Sequence, residues 1–503
     1  MKTSNIGNLI SNYGNRLWSL VSVFIFIPVY IHYLGIESYA VVGFYALLLG
    51  IISFADAGMS SAVIKEFASN SDASYKYNVL RIIEKYYILI CLFIALVIIA
   101  CSGTIATYWL NSDKIPIGEL VYTIRLIGVG ITLQLLSSLY FGALFGLGKQ
   151  IKANSFQIFW NIMKSGFVIL LLILVRPTLE VFFIWQIICN LTYVVILRRT
   201  VIGDLKTSGD KMRMYLKSIP KDILSYIGGM TFIAIVSAVN IQADKIITSS
   251  FFSLKIFGYY TIASTLSQIP VIMGTPLALS MFPLFSKYST KETVAEFNNC
   301  FVKSTFLLHS IIFPVSIILY IYTADILRLW TGTTVSAEHF DELIIVIKFL
   351  VIGSTFLALQ LLPFYVLLSN GKTKYNIYQG VAQIVVGLPL LYFSVKYYGL
   401  LGTGFPWMVI NFGALIFLYI IVFKYFIAYG FFKFLRTIII LPFVINFVIS
   451  VAIYYLYKST SLPFYIFVVL TGIVSISSNL IIYNLSQKKK ALDFSNIFSF
   501  STE

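Results

Sequence analysis

Charged residues are scarce in this sequence. Only 11% of its 503 residues are Asp, Glu, Lys or Arg, whereas 59% are hydrophobic. A soluble domain carries about 25% charged residues because its surface faces water. Apolar runs of about 20 residues, the length a helix needs to cross a bilayer, recur along the whole chain. The sequence therefore predicts an all-α polytopic membrane protein, and we expect no nucleic-acid partner despite the net charge of +16.

Catalytic and metal-binding motifs are missing as well. The four cysteines form no CxxC pair, the three histidines are scattered, and no GxSxG or HExxH sequence occurs. The segment GKTK at Gly371–Lys374 resembles the end of a phosphate-binding loop, but Val366 stands where the first glycine would be. We therefore expect no catalytic residue, no metal and no cofactor. Transport is the function class that remains.

Fourteen apolar segments are candidate membrane helices. Their Lys and Arg residues alternate by side: 26 of the 36 fall in the loops on the side of the N-terminus, and six fall in the opposite loops. Basic residues favour the cytoplasmic side, so both termini are predicted to be cytoplasmic. The predicted segments are 16–33, 39–64, 86–108, 120–147, 155–175, 179–197, 223–252, 258–285, 304–323, 343–368, 375–395, 400–423, 437–457 and 463–485.

Features of the first half recur about 222 residues later. In the clearest pair, Gly148 and Lys149 correspond to Gly371 and Lys372. Each half holds six helices, so the halves share one orientation, and a parallel repeat predicts a cavity between them. Two further helices match neither half. The predicted domains are an N-lobe at 1–200, a basic cytoplasmic linker at 201–222, a C-lobe at 223–425, and two helices with a basic tail at 426–503.

The segment YLGIESYAVVGFYALLLGIISFADAGMSSAVIKEFA, Tyr33–Ala68, contains a Leu-Gly, a following aromatic residue, an Asp-x-Gly and a basic exit, in that order. With the GLGKQ turn at Gly146–Gln150 and the repeat, it resembles polysaccharide-repeat exporters of the multidrug/oligosaccharidyl-lipid/polysaccharide superfamily. Bacterial O-antigen (Wzx-type) flippases are the most similar branch. The resemblance implies MATE-like lobes that alternate between inward and outward states in the inner membrane. The two additional C-terminal helices, fourteen spans in total, are shared with lipid II flippases.

The resemblance also implies a cargo and partners. The cargo would be an undecaprenyl-diphosphate-linked oligosaccharide, moved from the cytoplasmic to the periplasmic leaflet among membrane lipids. A polysaccharide polymerase and a chain-length regulator are further implied partners, and coupling to protons or sodium ions stays open. Alternatives are a lipid II flippase, a multidrug/cation antiporter and a membrane polysaccharide polymerase. Cations outnumber acids within the spans, which disfavours a cationic cargo, and a polymerase usually needs a longer outside loop than 324–342.

Cations inside spans are the candidates for binding a diphosphate, because its charge cannot cross hydrocarbon unpaired. Lys164 lies nine residues into its predicted helix, about 14 Å deep. It would either line the cavity or form a structural pair with a carboxylate. Arg125 and Lys348 lie near the outer ends of their spans and could snorkel to the interface. Lys245 follows Asp244 directly, and Arg16 begins the first span as a phosphate contact or an interfacial anchor.

Two carboxylates are candidates for ion coupling or for the conformational change, namely Asp56 and Asp244. Asp56 lies within a predicted span, beside the small residues Gly58 and Ser60. Small residues let a neighbouring helix approach closely. Asp56 would either titrate or change partner between two states, or it would pair permanently with a lysine.

Overall fold

The computed structural model describes residues 14, 18, 21–22, 24–69, 72–206, 220–289, 294–332 and 334–486, and throughout these residues the regular structure is helical. Ten helices in this part are long and apolar enough to cross a membrane, and two shorter apolar helices precede them. One of the ten, Thr373–Tyr425, covers two predicted spans. The all-helical, multi-pass prediction is confirmed, while the total of fourteen stays a prediction.

Contacts divide the chain into two compact units, Met1–Tyr259 and Tyr260–Glu503, called here the N-terminal and the C-terminal unit. The division falls after the first predicted span of the second half. The predicted linker at 201–222 lies largely outside the described residues. The domain boundaries drawn from the sequence stay a prediction.

The N-terminal unit consists of long helices joined by short turns. Its helices are α1 (Phe24–Leu34), α2 (Ile36–Ile52), α3 (Phe54–Ser69), α4 (Ala73–Ala100), α5 (Ile117–Gly146), α6 (Gln150–Leu174), α7 (Leu179–Lys206) and α8 (Lys221–Phe251). The next helix, α9 (Leu254–Ser267), contains the boundary between the units.

The C-terminal unit continues the same pattern of helices and short turns. Its helices are α10 (Ile269–Lys287), α11 (Val294–Ile321), α12 (Thr323–Thr331), α13 (Ala337–Ser369), α14 (Thr373–Tyr398), α15 (Gly404–Tyr425), α16 (Phe431–Lys458) and α17 (Phe464–Ser486). The short helix α12 lies in the segment predicted as the longest outside loop, so that segment is not wholly irregular.

Two predicted spans differ from the observed helices for local reasons. The single segment 39–64 is broken at Ser53, whose hydroxyl donates to the Gly50 carbonyl at 2.7 Å. A serine hydroxyl bonded to the backbone competes with the regular helical pattern. The helix α4 begins well before residue 86, because the Asp72 side chain caps it by accepting the Ser74 N–H at 2.8 Å. Hydropathy detects only the apolar part of such a helix.

The predicted repeat is visible in the turns that end α5 and α13. Gly148 has a φ of 72°, and the N–H of Lys149 donates to the Leu144 carbonyl at 2.9 Å. In the other unit Gly371 has a φ of 67°, and the residue after it donates to the carbonyl five positions earlier, also at 2.9 Å. Glycine is favoured at such a left-handed helix end. Both units therefore close the corresponding helix with the same backbone geometry.

The two additional helices, α16 and α17, are fixed to α11 by buried polar contacts. His309 Nδ1 donates to the Ile438 carbonyl at 2.8 Å. Asn446 Nδ2 donates to Asn479 Oδ1 at 2.9 Å, and both asparagines are fully buried. Asn479 also reaches the Ser310 carbonyl at 3.5 Å. Because separating these groups would leave buried polar atoms unpaired, we expect this helix pair to move with α11.

Candidate functional site

Lys164 lies in a distorted turn in the middle of α6. It is the fifteenth residue of this 25-residue helix, within the π-helical turn Ile162–Phe167. A π-turn in an α-helix leaves carbonyls without their usual donors and is frequent at functional sites. The turn includes Gly166, where an added Cβ would lie 3.3 Å from the Phe26 ring of α1. The local sequence thus allows α1 to approach the distorted turn.

Side chains from two neighbouring helices satisfy the carbonyls of this turn. From α7, Trp185 Nε1 donates to the Met163 carbonyl at 2.9 Å, and Gln186 Nε2 donates to the Lys164 carbonyl at 3.1 Å. From α1, the Tyr30 hydroxyl donates to the Ser165 carbonyl at 2.5 Å. These bonds hold the turn on two sides and fix where the Lys164 side chain starts.

Neutral groups surround the ammonium of Lys164, and we call Tyr45, Gln134, Trp160 and Lys164 the Lys164 cluster. Lys164 Nζ lies 2.7 Å from Gln134 Oε1 and 3.5 Å from the Tyr45 hydroxyl. It also lies 4.6 Å from the centre of the Trp160 ring and 5.4 Å from that of Tyr45. Among the described residues no carboxylate forms an ion pair with it. The described residues therefore do not show the structural pair between Lys164 and a carboxylate that the sequence left open.

The cluster can accept an anion. A cation in the middle of a membrane helix costs about 2.5–3.5 kcal/mol, and aromatic faces offset roughly 0.5–2 kcal/mol of this. An ammonium has three N–H donors, and Gln134 Oε1 is the closest acceptor in the described part of the chain. Donors thus remain for the oxygens of a phosphate, to which Lys binds as a point charge.

Arg125 and Lys348 have partners outside the Lys164 cluster. Arg125 is exposed, and its Nε donates to Ser102 Oγ at 3.2 Å. Lys348 is half-buried in the C-terminal unit, with its Nζ 5.1 Å from the centre of the Tyr320 ring. Exposure is consistent with the predicted snorkelling of Arg125. It leaves Arg125 a weaker candidate than Lys164 for a contact deep in the membrane.

Lys245 has a partially neutralised charge. Its Nζ lies 3.9 Å from Oδ1 of Asp244, the preceding residue on α8. Both side chains are largely buried, with exposed fractions of 22% and 14%. The pair contributes less net positive charge than Lys164 does. Arg16, the remaining predicted cation, lies outside the described residues.

Asp56 has hydroxyl partners. The Ser60 hydroxyl and the Tyr87 hydroxyl both donate to Asp56 Oδ1, the latter at 2.6 Å. Tyr87 is also 2.9 Å from the Leu135 carbonyl and 3.2 Å from Ser138 Oγ. No Lys or Arg of the described ranges forms an ion pair with this carboxylate. The permanent lysine pair left open by the sequence is absent from this state.

The structure also shows a buried carboxylate, Glu84, that the sequence analysis does not identify. Its carboxylate accepts hydrogen bonds from Arg81 Nη1 at 3.0 Å, from Arg198 Nε at 2.6 Å and from the Tyr140 hydroxyl at 2.6 Å. Glu84 is only 4% exposed, so three helices, α4, α5 and α7, meet on one buried carboxylate. The i, i+3 spacing of Arg81 and Glu84 is the only sequence signal. The contacts with α5 and α7 join residues that are distant in the sequence.

Glu84→Gln is expected to lower the stability of the N-terminal unit by roughly 1–3 kcal/mol. Breaking a buried ion pair costs about 3–5 kcal/mol, and this value is reduced because the Arg81 and Arg198 side chains are 40% and 39% exposed. The melting temperature of the purified protein measures the effect. Asp204→Asn is the control, since its partners Lys149 and Lys152 are 41% and 45% exposed. Equal melting temperatures for the two variants would contradict this role of Glu84.

Comparison with known proteins decides the family. Residues 33–334, more than half of the chain, match the family described as "Polysaccharide biosynthesis protein". The chain belongs to this family. An O-antigen transporter candidate of Shigella flexneri is 25% identical over 377 residues, which is 75% of this chain and 87% of the relative. The resemblance stated from Tyr33–Ala68 and the repeat is thereby confirmed.

Solved structures show the same fold. A lipid II flippase, MurJ, in an inward closed conformation has a TM-score of 0.73 at 17% identity, covering 96% of this chain and 100% of its own. A multidrug transporter of the MATE family in an inward-facing conformation has a TM-score of 0.64 at 16% identity, covering 81% of this chain and 93% of its own. The predicted MATE-like fold is confirmed. The match with the lipid II flippase covers more of this chain than the match with the MATE transporter does.

Proposed function

We propose that this protein is a flippase for undecaprenyl-diphosphate-linked oligosaccharide repeat units of a surface polysaccharide. It moves them from the cytoplasmic to the periplasmic leaflet of the bacterial inner membrane by alternating access. Family membership and the Shigella flexneri relative support the polysaccharide pathway. The observation that carries the proposal is Lys164, a cation in the middle of a membrane helix with neutral partners in the described structure.

The chemistry of this cargo matches the Lys164 cluster. A diphosphate is anionic and cannot enter hydrocarbon without a partner. Lys164 supplies the charge, while Gln134 and the Tyr45 hydroxyl hold its side chain by hydrogen bonds at 2.7 Å and 3.5 Å. A cationic drug would be repelled by the same group, which disfavours the antiporter. A lipid II flippase would share the diphosphate, so the sugar must be distinguished by experiment.

The other predicted cations complete the proposed path. Arg125 and Lys348, near the outer ends of their predicted spans, would receive the diphosphate after Lys164, and Arg16 would meet it first on the cytoplasmic side. Lys245 contributes less because Asp244 lies 3.9 Å away. Cytoplasmic termini, the two-lobe division and cooperation with a polysaccharide polymerase and a chain-length regulator belong to the same proposal.

Deletion of the gene tests the function. In a strain without a redundant flippase, surface polysaccharide should be lost while single lipid-linked repeat units accumulate inside the cell. A plasmid carrying the wild-type gene should restore both. Extraction of carrier lipids and gel analysis of surface polysaccharide give the two readouts. Normal surface polysaccharide after deletion would refute the proposal, and loss of viability with accumulated lipid II would favour the peptidoglycan branch instead.

A further inference from the structure

Tyr87 links Asp56 to α5 through one hydroxyl hydrogen, which has three oxygens within hydrogen-bond distance, Ser138 Oγ at 3.2 Å among them. The Tyr87 hydroxyl lies 2.6 Å from Asp56 Oδ1 and 2.9 Å from the Leu135 carbonyl. A phenol has a single O–H and can donate to only one of them at a time. Tyr87 is 2% exposed, so water does not readily satisfy the acceptor it leaves.

With Asp56 ionised, every group in this hydrogen-bond chain is satisfied. Tyr87 donates to Asp56 Oδ1, and the Ser60 hydroxyl donates to the same oxygen. The Ser138 hydroxyl donates to the Leu135 carbonyl at 2.6 Å. Two hydroxyl donors stabilise the carboxylate, while the Leu135 carbonyl accepts both the Ser138 hydroxyl and a backbone N–H of its own helix.

With Asp56 protonated, every group is again satisfied without a heavy atom moving. The new carboxyl O–H donates to the Tyr87 oxygen, and the Tyr87 hydrogen turns to Ser138 Oγ, 3.2 Å away. The Ser138 hydroxyl keeps its own hydrogen on the Leu135 carbonyl at 2.6 Å. The chain therefore fits both protonation states, whereas most buried carboxylates fit one.

We propose that Asp56 is a reversible proton-binding site, with Tyr87 as the positioning residue that redirects its own hydrogen when the site fills. A hydronium ion transfers one proton: the O–H bond forms on the Asp56 carboxylate as an O–H bond of hydronium breaks, leaving water. Release is the reverse reaction. The site itself is independent of the cargo, while its use in driving transport rests on the proposed function.

A charged cluster lies one turn from Tyr87 on α4: Glu84 with its partners Arg81 and Arg198. On α4, the Cys91 thiol is the second titratable group that interacts with the Asp56 carboxylate. The groups of α5 in the chain, a hydroxyl and a carbonyl, do not titrate in this range. On α3 itself, Lys65 and Glu66 lie nine and ten residues away, about 14 Å along the helix. A proton on Asp56 changes the charge of its side chain from −1 to 0.

A close approach of α3 and α8 lies on the opposite face of α3 from Asp56. Two residues beyond Asp56, an added Cβ on Gly58 would lie 2.5 Å from the Ile227 carbonyl and from Thr231 Oγ1. On the same helix pair, Lys65 Nζ lies 4.6 Å from the centre of the Tyr226 ring. Each residue of a helix turns by about 100°, so this contact with α8 at Gly58 lies about 200° around α3 from the Asp56 side chain.

Infrared pH-difference spectroscopy of the full chain in nanodiscs tests the site. The wild-type protein should show the C=O band of a protonated carboxylic acid as the pH falls. The band should disappear in Asp56→Asn, persist in the control Asp244→Asn, and shift in Tyr87→Phe, which removes its hydrogen-bond partner. Persistence of the same band in Asp56→Asn, or no titrating band in the wild type, would overturn the proposal.

Transport in proteoliposomes tests the use of the proton. An imposed pH gradient should change the wild-type flipping rate of a lipid-linked oligosaccharide, and Asp56→Asn should lose this response. Wild-type flipping that ignores the gradient would overturn the driving role. Absence of flipping in the wild type would instead count against the proposed function, and the infrared band would still report on the proton site.

Discussion

Lys164→Met is expected to abolish export of surface polysaccharide, because it removes the one deep cation of the Lys164 cluster and keeps a side chain of similar length. Removing one partner of a buried charge contact costs about 2–5 kcal/mol, so cargo binding should weaken roughly 30-fold or more. Lys164→Arg should retain part of the activity. It keeps the charge, but the longer guanidinium replaces the compact ammonium that lies between Gln134 and the Trp160 ring.

The matched control for this prediction is Lys152→Met on the same helix. Lys152 pairs with Asp204 at 3.4 Å and is 45% exposed, so its loss should leave export close to wild type. Surface polysaccharide in the complemented deletion strain gives the comparison, with membrane levels of each variant checked by immunoblot. Export by Lys164→Met at the level of Lys152→Met would remove Lys164 from the site.

Gly58→Leu is expected to have the second largest effect, because it acts on the backbone contact between α3 and α8. An added Cβ would lie 2.5 Å from the Ile227 carbonyl, a backbone atom that cannot swing aside. Overpacking of this kind costs about 1–3 kcal/mol or more. We expect a lower melting temperature and loss of export. The melting temperature is measured on the detergent-purified variant, and export is measured in cells that express the same variant.

Substitutions at two other glycines are expected to have smaller effects on stability. At Gly228 on α8 an added Cβ meets nothing within 4 Å, so Gly228→Ala should match the wild type. At Gly50 on α2 the added Cβ meets only the side chain of Gln242, which can move, so Gly50→Ala should have an intermediate effect. Equal melting temperatures for Gly58→Leu and Gly228→Ala would contradict the account of the α3–α8 contact.

Hydropathy and glycine patterns predicted the parts of the fold that depend on local physics. A membrane helix must satisfy its own backbone, so long apolar runs identify it without knowledge of its neighbours. The left-handed turns at Gly148 and Gly371 follow in the same way, because few other residues adopt that conformation. The family resemblance then added the MATE-like arrangement, which no local pattern specifies.

The features that the sequence missed depend on contacts between distant residues. The π-turn around Lys164 is held by Trp185, Gln186 and Tyr30, and none of them is near it in the sequence. Glu84 is likewise organised by Arg198, 114 residues away. Lys164 itself was identified from depth alone, but its neutral partners could not be. Whether a deep cation is paired depends on tertiary packing, which the order of residues does not show.

Translocation in proteoliposomes tests the central claim most directly. A lipid-diphosphate oligosaccharide with a fluorescent sugar is placed in both leaflets, and a membrane-impermeant quencher is added outside. Wild-type protein should let the quencher reach nearly all of the label, because the cargo exchanges between leaflets. Lys164→Met should leave about half protected, as protein-free vesicles do. Protection of half the label by the wild type, or full quenching with Lys164→Met, would contradict the account.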